Sequence, residues 1–310
     1  MTSKSSAEVA LIRINIARRK RWDLLFGLLG ILALATGLLT IASLFVDMLI
    51  GGWERLHPDF FTNFPSRRAA QAGILSAWVG SVLVMIVTAT VAVPLGVAAG
   101  IWLEEYAPKH WITDVIEINI SNLAGVPSII YGLLALGLFV YTFGLGQSVQ
   151  TAGLTLALLI LPVVIVATRE AIRAIPQMIR EAAYALGATQ WQAVKDHIVP
   201  YSLPGILTGV ILGLSRAIGE TAPIITIGAL TFIAFLPPPP IMEAAPYVNF
   251  DWLQAPFTVM PIQIFNWTSR PDSAFQQNAA AAGAILVAMT LTMNALAIWL
   301  RYRLRKNIKW

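Results

Sequence analysis

Six long apolar stretches limit what this chain can fold into more than any motif does. Leu24 to Val46, Gly73 to Leu103, Val115 to Phe143, Thr151 to Thr168, Gly205 to Leu236 and Ala279 to Leu300 are each long enough for a helix to cross the ~30 Å hydrocarbon layer of a bilayer. Lipid offers no partner to a free N–H or C=O, so such stretches must satisfy their own backbones, as helices do. Composition points the same way: 57% of residues are apolar, 12% are charged and the mean hydropathy is +0.72, where soluble domains hold about 25% charge. An all-α, polytopic membrane protein with six transmembrane helices is expected. Its parts would be a basic tail over 1–21, a first transmembrane helix over 22–50, an external loop over 51–72, a core over 73–300 and a second tail over 301–310. The first apolar run far exceeds the ~7–15 residue core of a signal peptide and is read as an uncleaved helix.

Charge gives the orientation. Of the 21 Lys and Arg, sixteen lie in the two tails, the short segment around Lys109 and the polar stretch 169–204, four lie in the alternate segments, and Arg216 lies inside the fifth span. The positive-inside rule then places both termini and residues 169–204 in the cytoplasm. Basic residues gathered at the chain ends serve topology, so nucleic acid is not an expected partner. With no cysteine, disulfides, thiolate metal sites and cysteine nucleophiles are excluded.

The stretch 169–204 reads as two short helices. Pro176 suits a first helical position and Gly187 a left-handed cap. Between them Ile175, Met178, Ile179, Ala182, Ala183 and Leu186 recur as an apolar stripe, with Gln177, Arg180, Glu181 and Tyr184 facing away. Thr189 and Gln192 form a T-x-x-Q capping box that opens a second helix, expected to end at Pro200.

Glu181, Ala182, Ala183, Gly187 and Pro200 resemble the EAA signature of ABC importer permeases: E-A-A, three residues, Gly, nine residues, I-x-L-P. His197 and Val199 depart from it, standing where Ile and Leu are usual. SRAIGETAPIITIGALTF from Ser215, LAGVPSIIYGLLALG from Leu123 and PIQIFNWTSRPDSAFQQNAAAA from Pro261 narrow the resemblance to PstA-type permeases of the phosphate-specific transport system. The resemblance implies a type I ABC importer permease fold in a bacterial inner membrane and a hairpin that docks on a cytoplasmic ATPase. It also implies a PstC-type permease partner, two copies of a PstB-type ATPase and an external PstS-type phosphate-binding protein. ATP and Mg would then be bound by the partner ATPase, with no cofactor in this chain.

The fifth span carries a charged pair. Arg216 stands 12 residues beyond Pro204, about 18 Å along a helix and so near the bilayer midplane. A charge there costs at least ~2.5–3.5 kcal/mol on insertion scales. Glu220, four residues on, shares its face and can neutralise it. Arg216 is the candidate donor to an oxyanion in transit, with Glu220 keeping the vacant site neutral; the alternative is an ion pair that only fixes helix packing. Gly205, Gly209, Gly213, Ala217 and Thr221 make a small-residue row for close helix approach. Gly219 and Pro223 mark a gate or hinge at the pair.

Elsewhere, Asn119, Ser121, Asn122, Pro127 and Ser128 give the third span a polar face for protein or water. Asp47 and Glu117, near span ends, are expected to be solvated. In the external segment 237–278, the prolines 237–240 favour a stiff rod. With Tyr247, Trp252, Phe257, Phe265 and Trp267 they suit either docking of a binding protein or an interfacial aromatic belt. The scattered His57, His110 and His197 suggest no metal site, and no phosphate loop, H-E-x-x-H or G-x-S-x-G occurs. The chain is expected to be non-catalytic. A gradient-driven secondary transporter or channel, or an ABC permease for sulfate or molybdate, remains the alternative.

Overall fold

The computed structural model describes residues 2–241 and 247–305. Its named elements are helices; among the described residues, one isolated antiparallel bridge joins Ile241 and Val248. Two compact units divide the chain, Met1–Gly51 and Gly52–Trp310.

The first unit is a single helix. Helix α1 runs Thr2–Gly52, 51 residues or about 77 Å. The basic residues expected to form a separate tail are its opening turns, because no Gly or Pro precedes Gly27 to interrupt a segment rich in Ala, Leu, Arg and Lys. Within the apolar run, the Thr36 and Thr40 hydroxyls bond the carbonyls of Leu32 and Thr36 one turn back.

The second unit is built around three helices: α3 (Leu75–Ile101), α6 (Val149–Arg173) and α9 (Val199–Ile218). Helix α6 is central. In its most apolar window 67% of residues are buried, against 22% for the last long helix, α12 (Ala274–Arg305). Small residues set the spacing. Gly205 and Gly209 of α9 press on Ala171 and Ala167 of α6, and Gly96, Gly100 and Gly153 bring α3 and α6 together over Val164, Thr168 and Val87. Any larger side chain at Gly209 would overlap Ala167. The small-residue row of the fifth span therefore faces α6.

Among the described residues, five helices are long and apolar enough to cross a membrane, or six with one bent pair counted as a span. That pair corrects the continuous third span. Helix α4 (Trp111–Leu123) and the helix that begins with α5 (Ser128–Ala135) meet at 105°. Pro127 supplies no N–H and pushes Val126 out of helical geometry. The Tyr131 hydroxyl donates to the Leu123 carbonyl that the break exposes, at 2.8 Å.

The fifth span is corrected too. Helix α9 is continuous with the second hairpin helix from Gln190 and stops at Ile218; after Gly219 comes only the short α10 (Ala222–Thr226). Pro200 does not end the hairpin helix. The preceding turn, Val194–Ile198, is a π-turn, and its wider ring makes room for a residue without an N–H.

The two segments expected to be external fold together as a cap. Helix α2 (Pro58–Thr62) and α11 (Met260–Thr268) bury Phe60 and Trp267 with Ile74 and Phe275. Trp252, Phe257 and Trp267 are thus core residues and serve neither docking nor an aromatic belt, while Tyr247 and Phe265 are exposed.

Candidate functional site

The hairpin consists of α7 (Gln177–Ala185) and α8 (Gln190–Ala193), joined through Gly187. Pro176 is the residue before the first helical position. Gly187 adopts φ +84°, where a Cβ is disfavoured. Its N–H donates to the Tyr184 carbonyl at 2.9 Å, and the Ala188 N–H donates to that of Ala183 at 3.1 Å, which makes a Schellman closure. Thr189 then opens α8. The Gln192 N–H donates to its hydroxyl at 3.3 Å, and the Thr189 N–H donates back to Gln192 Oε1 at 2.8 Å.

The stripe expected on α7 splits in two. Ile175 and Ala183 are buried, above a cluster of Ile172, Val194 and Ile198. Met178 and Leu186 are 75% and 90% exposed, and Trp191 on α8 is 62% exposed. Glu181 and Ala182 are exposed beside them. These apolar tips have no cover among the described residues.

Arg180, expected to face away, turns inward instead. Its guanidinium donates to Glu105 through Nη2 at 2.6 Å and Nε at 3.1 Å, and to the carbonyls of Ile175 and Ile172 at 2.9 and 3.2 Å. The neighbouring Glu104 pairs with Arg173 at 2.9 Å. Glu117 is likewise no solvated residue: it meets the buried Arg169 at 2.5 Å, and so ties α4 to α6.

Arg216 and Glu220 do pair, with Nε 3.2 Å from Oε1. Arg216 lies in the last turn of α9, where the free carbonyl ends of a helix favour a cation. Glu220 lies in the break just beyond it, and Pro223 opens α10. Against this break packs the second half of the broken third span: Gly132 of α5 lies on Pro223 and Thr226 so closely that a Cβ there would overlap both. Two interrupted spans thus meet at the charged pair, which keeps their loosened backbones covered by protein.

Residues 92–310 match the family described as the binding-protein-dependent transport system inner membrane component. This chain belongs to that family. The permease is 32% identical over 273 residues to the probable ABC transporter permease protein YqgI of Bacillus subtilis, covering 86% of this chain and 91% of that protein. It is 32% identical over 279 residues to the phosphate transport system permease protein PstA of Yersinia pestis, covering 86% of each. Among solved structures, a chain of the MetNI methionine ABC transporter in inward-facing conformations shares its fold. The TM-score is 0.57 at 16% identity, over 73% of this chain and 93% of that one. The permease is therefore a multi-pass ABC importer subunit of type I fold.

Sequence reading missed Glu105 as a partner of the hairpin and Glu104 as a partner of the α6 arginines. The paired acids after an apolar span, facing several arginines, were the available signal. A separate cavity of about 770 Å³ in the permease, between α3, α9 and α12, is lined by residues such as Val82, Met85, Leu214 and Met293 and presents no charge to an anion.

Proposed function

We propose that the chain is the PstA-type permease subunit of an ATP-driven importer of inorganic phosphate, with its termini and hairpin in the cytoplasm. The observation that carries this reading is continuity: helix Gln190–Ile218 runs unbroken from the exposed hairpin to Arg216. Met178, Leu186 and Trp191 would enter a cleft of the ATPase, stabilised as apolar side chains removed from water are, by about 1.5–3 kcal/mol each when fully buried. Glu181, Ala182, Ala183, Gly187 and Pro200 form and orient that surface. Closure of two ATPases on ATP would pull this hairpin and that of a PstC-type partner together. The movement would pass along α9 to the break at Gly219 and reorient the spans from inward-open to outward-open.

At the break, Arg216 offers fork-like donors to a phosphate delivered by a PstS-type binding protein. Glu220 neutralises the empty site and competes with the anion, so that binding stays reversible. ATP and Mg belong to the ATPase subunits, and this chain does no hydrolysis. Phosphate is preferred over other oxyanions because relatives at 30–32% identity, from Yersinia pestis to Xylella fastidiosa, bear the name of phosphate transport permeases.

The test is uptake of labelled phosphate into vesicles holding the full complex, with and without ATP. Uptake is expected to need ATP and to be displaced by unlabelled phosphate but not by sulfate or molybdate. Equal displacement by sulfate would reassign the substrate, and uptake driven by a proton gradient without ATP would overturn the mechanism.

A further inference from the structure

The two carboxylates at the end of α3 serve different neighbours. Glu104 holds arginines of α6. Glu105 is gripped by both helices of the hairpin: Arg180 of α7 takes its carboxylate, and the Gln190 side chain of α8 donates to its main-chain carbonyl at 2.5 Å. A π-turn over Trp102–Tyr106 carries both acids. Its extra residue per turn rotates these side chains away from the regular helical positions, a device found often at functional sites.

We infer that Glu105 is a positioning residue through which the hairpin drives α3, a second transmission route beside α9. The inference rests on the reading of the hairpin as the ATPase lever. Helix α3 with its π-turn, residues 75–106, is about 48 Å long and reaches the opposite end of the unit. There the Ser76 hydroxyl donates to the Ile233 carbonyl at 2.9 Å, in the stretch after α10. The Ser81 hydroxyl accepts from the Met260 N–H at 2.8 Å, at the start of α11. Gly80 lies directly on the Thr258 carbonyl. Thus α9 carries the hairpin to the charged pair, and α3 carries it to the cap.

A buried ion pair holds helices together no better than apolar residues of equal volume. What the guanidinium adds is direction: Nε and Nη2 grip Glu105 while Nη1 and Nη2 hold the Ile175 and Ile172 carbonyls, so the joint resists rotation as well as separation. Arg180 and Glu105 leave 12% and 6% of their side chains exposed, so water cannot readily relax this joint. A pull on α7 therefore reaches α3 without slack.

The chain has no cysteine, so the joint can be replaced by a removable one. In the full complex in vesicles, Glu105→Cys with Arg180→Cys is compared with and without a short, reducible bifunctional thiol cross-linker. Phosphate taken up per ATP hydrolysed is the readout. Unlinked, this ratio is expected to fall about 10-fold, the scale of one charge-assisted hydrogen bond. Linked, it is expected to recover, and reductant should abolish the recovery. An unchanged ratio in the unlinked variant, or no recovery on linking, overturns the inference. ATPase co-purification is scored on the same samples: its absence from the wild-type complex sinks the lever reading and this inference with it, whereas its presence with either contrary ratio sinks this inference alone. If the unlinked variant does not assemble, E105D carries the test. It keeps the charge, and partial coupling is expected where E105Q shows none; equal coupling in the two overturns the role.

Discussion

Two Arg–Glu pairs in this permease share their chemistry and differ in everything around it. Arg180 and Glu105 are 75 residues apart in sequence, nearly buried, doubly hydrogen-bonded and braced by two main-chain carbonyls. Arg216 and Glu220 are one helical turn apart, joined by a single contact, with Arg216 40% exposed. In the first pair all three guanidinium nitrogens of Arg180 are bonded, and the pair fixes one element on another. In the second, only Nε of Arg216 is bonded among the described residues, which suits the anion proposed for it. Burial and completeness of bonding, more than residue type, separate the proposed joint from the proposed binding site.

The largest contrast is expected in stability. R180M strands the Glu105 carboxylate and should cost about 3–5 kcal/mol, as removal of one partner from a buried pair does, whereas R216M should cost less, because its pair rests on a single contact and Arg216 is more exposed. Thermal unfolding of the two variants in detergent checks this, and similar losses would erase the distinction. Function should show the reverse order. R216M is expected to lower phosphate flux by about 10–100-fold, the worth of a hydrogen bond to a charged group, in a complex that still assembles. R216K, which keeps charge without the fork, should fall between.

A smaller effect is expected where the hairpin closes. G187A places a Cβ at φ +84° and should cost roughly 1–2 kcal/mol, seen as faster hydrogen exchange in α7 and α8 and weaker ATPase binding with Arg216 untouched. The smallest is a salt effect. Raising ionic strength from 0.1 to 1 M shortens the screening length from about 10 to 3 Å. It should loosen the open Arg216–Glu220 contact and leave Arg180–Glu105 unchanged, as followed by infrared carboxylate bands in E105Q and E220Q difference spectra.

The same comparison explains what the sequence disclosed. Features made by near neighbours were legible: the Thr189–Gln192 box, the left-handed Gly187, the Arg216–Glu220 spacing and the glycine row all rest on spacings of about one helical turn. The Arg180–Glu105 joint was not, because no local spacing links residues so far apart. On α7 the apolar period holds only in part: Ile175 and Ala183 are buried, Arg180 turns inward, and Met178, Ala182 and Leu186 are exposed. An apolar stripe looks alike whether it fills a core or not, and Met178 and Leu186 fill none among the described residues. Pro127 and Gly125 did mark the break in the third span, but a hydropathy average smooths over two residues. The aromatic residues of segment 237–278 misled for a related reason: a loop reading leaves them at the surface, whereas Trp267 packs on Phe60 and Ile74, and Trp252 and Phe257 join the main helical core.

The central claim is that movement of the hairpin reaches the oxyanion site at Arg216. Phosphate uptake and ATP hydrolysis counted in the same vesicles for wild type and R216M test it most directly. The account predicts that R216M keeps its ATPase bound and hydrolysing while uptake falls to the level seen without ATP. Wild-type uptake by R216M would contradict it.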